Sequence, residues 1–258
     1  MAEGQGSKHF VLVHSAGHGE WYWFKVKPLL ESAGHKVTTL QLAPSITSWA
    51  GVDSINTVHT LSQYSQPLLN LLENLEEKVV LVGHSAGGLS LALAMEKFPD
   101  KILVAVFIAA FMPDTSHKPS HVIDEYMKVP MEWKDSYSMS NKGNTTWLFF
   151  SDEFLRTRLY QLCSAEDFAL VSTLKRPASF FQEDLVKMDP FSAEKYGSVD
   201  RVYIVCKEDL AITEDFQHLM INNFGVKEVK VIEHSGHMPM LAKPKELVSH
   251  LLDIVTTY

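Results

Sequence analysis

Residues 78–98 read KVVLVGHSAGGLSLALAMEKF. The opening KVVLVGH is a short apolar run rich in β-branched residues, as a buried strand requires, and the Leu, Ala and Met that follow keep helical spacing without a proline. Between them stands Gly83-His84-Ser85-Ala86-Gly87, a G-x-S-x-G pentapeptide where strand turns into helix. Such a turn must be tight enough to lift a serine hydroxyl above the strand ends, and Gly83 and Gly87 remove the Cβ atoms that would collide there. A capping serine in an ordinary connection would use the same residue types. The strand before and the helix after favour a nucleophile, Ser85.

The same alternation runs outward from this stretch. HFVLVH (9–14), KVTTLQL (36–42), ILVAVFIAAF (102–111), RVYIVC (201–206) and EVKVIEH (228–234) read as strands, with helical periodicity over 21–32, 61–75, 86–98, 214–223 and 244–256. Strands separated by helices predict an α/β fold, a mostly parallel sheet flanked by helices. From Pro113 to about Lys195 the pattern stops, and Tyr126, Met127, Trp147, Phe150 and Phe154 appear among polar residues. That segment predicts an inserted cap over 113–195, with 1–112 and 196–258 as the core, and its aromatics fill a small core of the cap's own.

A serine hydroxyl needs a base to take its proton and an acid to orient that base. In a sheet of this kind the chain order is nucleophile, acid, histidine, the last two in loops after later strands. Asp209 follows RVYIVC, with Glu208 beside it and Asp114 after an earlier strand as competitors. His237 follows EVKVIEH, where Gly236 allows a tight loop, and His234 is its competitor. Oxyanion donors are expected from Ala86, the residue after the nucleophile, and from Ala16 in the small-residue loop of HFVLVHSAGHGEW.

Composition narrows the partners. A chain of 258 residues with 46% hydrophobic residues buries a large core, and its formal charge of -8 disfavours nucleic acid and anionic lipid. The polar start MAEGQGSKHF has no apolar signal region, and no apolar run reaches membrane-spanning length. Cys163 and Cys206 fit neither a disulfide framework nor a metal-ligand spacing, so no metal and no cofactor are expected, and a cytoplasmic setting is. The assembly is open, a homodimer included.

Taken together, HFVLVHSAGHGEWYWFKVKPLLESAGHKVT, KVVLVGHSAGGLSLALAMEKFPDKI, AVFIAAFMPD, LYQLCSAEDFAL, YGSVDRVYIVCKED and the terminal GHMPML resemble the plant methylesterase and hydroxynitrile lyase family of α/β-hydrolases over nearly the whole chain. The resemblance implies the α/β-hydrolase fold, a triad of Ser85, Asp209 and His237, and Ala16 and Ala86 as oxyanion donors. It also implies a small-molecule ester substrate, the methyl ester of a phytohormone or an indole alkaloid. A β-keto or β-aldehydo ester would release an acid able to decarboxylate.

Three positions bear on esterase against lyase. His84 before the nucleophile and Met238 after His237 match the esterases of the family, whereas Ser15 after His14 matches neither class. Ser15, His84, Trp133 and Met238 are therefore expected at the substrate, with Trp133 and other aromatics giving an apolar acyl pocket. Gly236 stands where relatives usually carry Asp, and APSITSWAGVDSINTVH (43–59) departs most from them, which predicts a distinctive pocket wall. Cyanohydrin cleavage and a hydrolase-like ligand receptor are the competing functions.

Overall fold

The computed structural model describes residues 6–42, 57–132, 136–140 and 145–258. The chain forms β1 (His9–Val13), β2 (Lys36–Leu40), β3 (Val79–His84) and β4 (Ile102–Ile108), then a hairpin of β5 (Tyr137–Ser140) and β6 (Thr146–Phe149), then β7 (Arg201–Cys206) and β8 (Glu228–Ile232). The six long-range strands lie in the order β2-β1-β3-β4-β7-β8, and every neighbouring pair is parallel. Parallel pairing leaves the strand C-termini on one edge, and the loops that follow β1, β3, β7 and β8 therefore converge.

Every residue of β1, β3 and β7 is buried, because helices cover both sheet faces. Alternate side chains divide between two cores. Val11, Leu81 and Tyr203 pack with Leu68 and Leu72 of α2 (Gln66–Asn74) and with α3 (Gly87–Lys97). Phe10, Leu12, Val80 and Ile204 pack with Leu30 of α1 (Val26–Ser32) and with Leu251 of the C-terminal helix Pro244–Val255. Each such side chain contributes about 1.5–3 kcal/mol relative to exposure.

Two predicted helices are broken. Over 21–32 a 3₁₀ turn at Glu20–Trp23 precedes α1, since Pro28 has no N–H for the carbonyl four residues earlier and its ring would crowd that carbonyl. Pro67 has the same effect over 61–75, where a turn at Leu61–Tyr64 and α2 meet at Ser65. β4 stops at Ile108 rather than 111 because Ala109 takes a left-handed φ of 38°.

Within 113–195 lie α4 (His121–Lys128), the β5–β6 hairpin and α5 (Ala165–Leu174). Among the described residues, the large side chains here do not enclose a core of their own. Tyr126 and Trp147 extend one sheet core, while Phe154, Leu155 and Phe168 extend the other, so the segment is seated on the sheet through both. Among the described residues no helix is long and apolar enough to cross a membrane.

Candidate active site

Ser85 sits between β3 and α3 at φ 54°, a left-handed conformation that a non-glycine residue holds at a cost of about 1–3 kcal/mol. Its peptide groups are pinned: the N–H donates to Ile108 O at 3.2 Å and the carbonyl accepts from Gly88 and Phe111 at 3.0 Å each. Close packing forces the glycines around it. A Cβ on Gly87 would stand 2.8 Å from His14 O, and one on Gly88 only 2.1 Å from Phe111 O. At Gly83 the collision would be with the Leu91 side chain, at 2.5 Å.

The hydroxyl of Ser85 lies 3.0 Å from His237 Nε2, and His237 Nδ1 lies 2.7 Å from Asp209 Oδ2. Asp209 Oδ1 accepts the N–H groups of Ala211 and Ile212 at 2.7 and 3.0 Å, which fixes the carboxylate in its loop. Its other oxygen therefore holds Nδ1 as the protonated nitrogen and leaves Nε2 as a base facing Ser85. All three residues are buried. The competitors lie elsewhere: His234 is exposed and pairs with Glu208 at 2.9 Å, and Asp114 pairs with His117 at 2.8 Å.

The loop after β1 is held group by group. The Ser15 N–H donates to the Tyr22 hydroxyl at 2.9 Å, and the Ser15 carbonyl accepts from His14 Nδ1 at 2.8 Å. The Ala16 carbonyl accepts from His18 Nδ1 at 2.7 Å, and the Gly17 carbonyl from the Arg176 N–H at 3.0 Å. Neither the Ala16 N–H nor the Ala86 N–H has an acceptor among the described residues. Ala16 is buried and Ala86 half-buried, and donors so placed beside Ser85 with no acceptor are suited to a developing oxyanion.

Burial keeps the supporting groups neutral. It lowers His14 to about 4 and His18 to about 3. It also pushes His84 well below the ordinary imidazole range and Tyr22 well above the ordinary phenol range. With Leu42 N–H on His14 Nε2 and Tyr160 hydroxyl on His18 Nε2, each ring keeps its proton on Nδ1. Tyr22 donates in turn to His84 Nδ1 at 3.2 Å, and His84 Nε2 donates to the His237 carbonyl at 2.7 Å. One chain of bonds thus ties the β1 loop to His84, the residue before Ser85, and to the loop that carries His237.

A cavity of about 30 Å³ borders Ser85 and His237, walled by Ser15, Ala16, Tyr126, Phe150 and Phe180 among others. His84 and Met238, expected at the substrate, do not face it. His84 is fully buried in the chain of bonds just described, and Met238 packs into the sheet core. Trp133 and residues 43–56 of the divergent stretch lie outside the described residues. The sequence does not single out Tyr22, His14 or His18, because each acts through a contact made only in three dimensions. A Cβ at Gly236 would stand 2.6 Å from the Gln161 amide, which donates to Glu208 O, so a larger residue there displaces that side-chain end. Among the described residues no group of three His, Cys, Asp or Glu side chains is placed to hold a metal ion.

Comparison with known proteins places this arrangement among relatives. A family model described as "Alpha/beta hydrolase family" matches residues 10–250. Methylesterase 2 of Arabidopsis thaliana is 51% identical over 269 residues, covering 100% of both chains. An alpha-hydroxynitrile lyase of the same plant is 49% identical, covering 97% of this chain and 98% of its own. The crystal structure of polyneuridine aldehyde esterase matches with a TM-score of 0.91 at 43% identity, covering 97% of this chain and 100% of that one.

Proposed function

From membership of the α/β hydrolase family, to which this chain belongs, we propose that it is a serine carboxylesterase acting on the methyl ester of a small plant metabolite, a phytohormone or indole-alkaloid ester. One observation carries the reading: Ser85, His237 and Asp209 are in line at 3.0 and 2.7 Å beside two amides that have no acceptor among the described residues. Ser85 Oγ attacks the ester carbonyl while His237 Nε2 takes its proton. Ala16 and Ala86 N–H hold the oxyanion as it forms. Collapse of the tetrahedral species expels methanol, which takes the proton back from His237, and an acyl-Ser85 remains. Water, deprotonated by the same nitrogen, then releases the acid. Asp209 keeps the imidazole oriented and stabilises its charged form.

Residues 113–195 act in this reading as a cap that supplies Tyr126, Phe150 and Phe180 to the wall. Cys163 and Cys206 are unpaired, and burial raises both thiols, which suits a reducing, cytoplasmic setting.

Ser15 is the observation that favours a second reading, since its side chain faces the same cavity as Ser85 and His237 and matches neither class of the family. In that reading Ser85 and His237 deprotonate a cyanohydrin, which releases cyanide. The two are separated by offering the protein a panel of methyl esters and mandelonitrile side by side. The esterase reading expects acid and methanol from an ester and no cyanide; cyanide release without ester cleavage reverses the assignment. Tight binding of a panel member with negligible turnover would instead mark a receptor.

A further inference from the structure

We infer, resting on the esterase reading, that the acid part of the substrate is a bulky, mostly apolar body of two or more rings, seated in a second chamber beyond Phe150 and Phe180. The cavity at Ser85 measures about 30 Å³, which admits little more than a water molecule and no aromatic acid. On the far side of the same two rings lies a chamber of about 420 Å³, walled by Ile123, Leu148 and Phe181 and open toward Met127 and Tyr137. That is the size of a pocket that buries a multi-ring ligand. Met127 and Tyr137 are 58% and 61% exposed, so the chamber communicates with solvent at that end.

Phe150 and Phe180 belong to both spaces, and they are the partition. Phe150 stacks on Phe154 with centroids 5.3 Å apart, and it reaches the β1 loop because Gly17 has no Cβ, which would stand 2.9 Å from the ring. Phe180 meets Phe111 edge-on at 5.6 Å. Both rings are half-buried, and joining the two spaces requires each to turn aside about its side-chain torsions while its backbone stays in place. The backbone next to Phe180 is firmly set: Phe181 holds a left-handed φ of 54°, donates its N–H to Ser179 Oγ at 2.9 Å, and buries its ring against Tyr64 and Trp147. Side-chain rotation therefore joins the two spaces without moving the main chain. The ester group then reaches Ser85 while the acid body stays in the larger chamber.

The test compares two esters on three proteins. Wild type, Met127→Trp at the exposed mouth and Leu148→Trp in the wall are assayed with methyl acetate, which carries no ring, and with methyl biphenyl-4-carboxylate. Filling the chamber should lower kcat/KM for the biphenyl ester by about tenfold or more and leave the acetate rate unchanged. Should Leu148→Trp fold poorly, the exposed Met127 site still decides the matter. The inference is overturned if wild type cleaves the acetate but not the biphenyl ester, or if both rates fall together or neither falls in the folded variants. Cleavage of neither ester by wild type would instead overturn the esterase reading, and the chamber with it.

Discussion

The Tyr22 hydroxyl accepts the N–H of Ser15 at 2.9 Å, and so satisfies the amide next to that of Ala16 in the β1 loop. The same hydroxyl donates to His84, whose other nitrogen holds the carbonyl of His237. A phenol on a 3₁₀ turn is thereby tied both to the loop of Ala16, the proposed oxyanion donor, and to the loop of His237, the proposed base. Tyr22 touches no reacting atom, so its part is one of positioning.

Tyr22→Phe keeps the ring and deletes both bonds. The Ser15 N–H and His84 Nδ1 are left buried without partners, at a cost of about 1–3 kcal/mol in stability. Steady-state kinetics should show kcat reduced by about 10- to 100-fold with KM little changed. Binding of a trifluoromethyl ketone, which forms an oxyanion on Ser85, should weaken in parallel while binding of the product acid does not. Equal weakening of both ligands would reduce Tyr22 to a packing residue.

Asp209→Asn separates orientation from fold. The new side-chain carbonyl oxygen still accepts the N–H groups of Ala211 and Ile212, so the melting temperature should change little. Its amide now donates toward His237 Nδ1 and drives the ring into the other tautomer, which places a proton on Nε2 where a base is required. Activity should fall by about 10⁴-fold. Near-normal turnover by the folded Asp209→Asn variant would remove Asp209 from the triad.

The buried imidazoles give a pH dependence with a definite sign. His14 and His18 fall from an ordinary value of 6.5 to about 4 and about 3 in the folded chain. Below pH 6.5 the unfolded chain binds protons that the folded chain refuses, so this stability is complete above pH 6.5 and declines as pH drops toward the folded values. Between neutral pH and pH 5 each histidine should remove about 2 kcal/mol, read from denaturant midpoints. A midpoint that does not move over this range would mean that these rings are not buried and neutral.

The parallel sheet and the elbow were legible because a strand period, a helix period and a G-x-S-x-G turn are local properties of the chain. Ser85, Asp209 and His237 each follow a recognisable strand, and the fold brings their side chains within hydrogen-bond distance. What escaped was whatever depends on one side chain reaching another across the fold. Pro28 and Pro67 each interrupt a stretch whose helical periodicity continues through them. Neither His84 nor Met238, expected at the substrate from their neighbourhood in the chain, lines the cavity: His84 is fully buried and Met238 packs in a sheet core. The aromatics of 113–195 could be counted but not apportioned. Only packing shows that some extend the sheet cores while Phe150 and Phe180 face a cavity.

The central claim is that Ser85 forms the acyl-enzyme, and turnover of a methyl ester by Ser85→Ala tests it most directly. The substitution removes one oxygen from a buried turn whose backbone bonds remain, so melting temperature and circular dichroism should match the wild type. Ester turnover in the same preparation should drop by about 10⁶-fold. Undiminished methyl-ester hydrolysis by the folded variant would contradict the account.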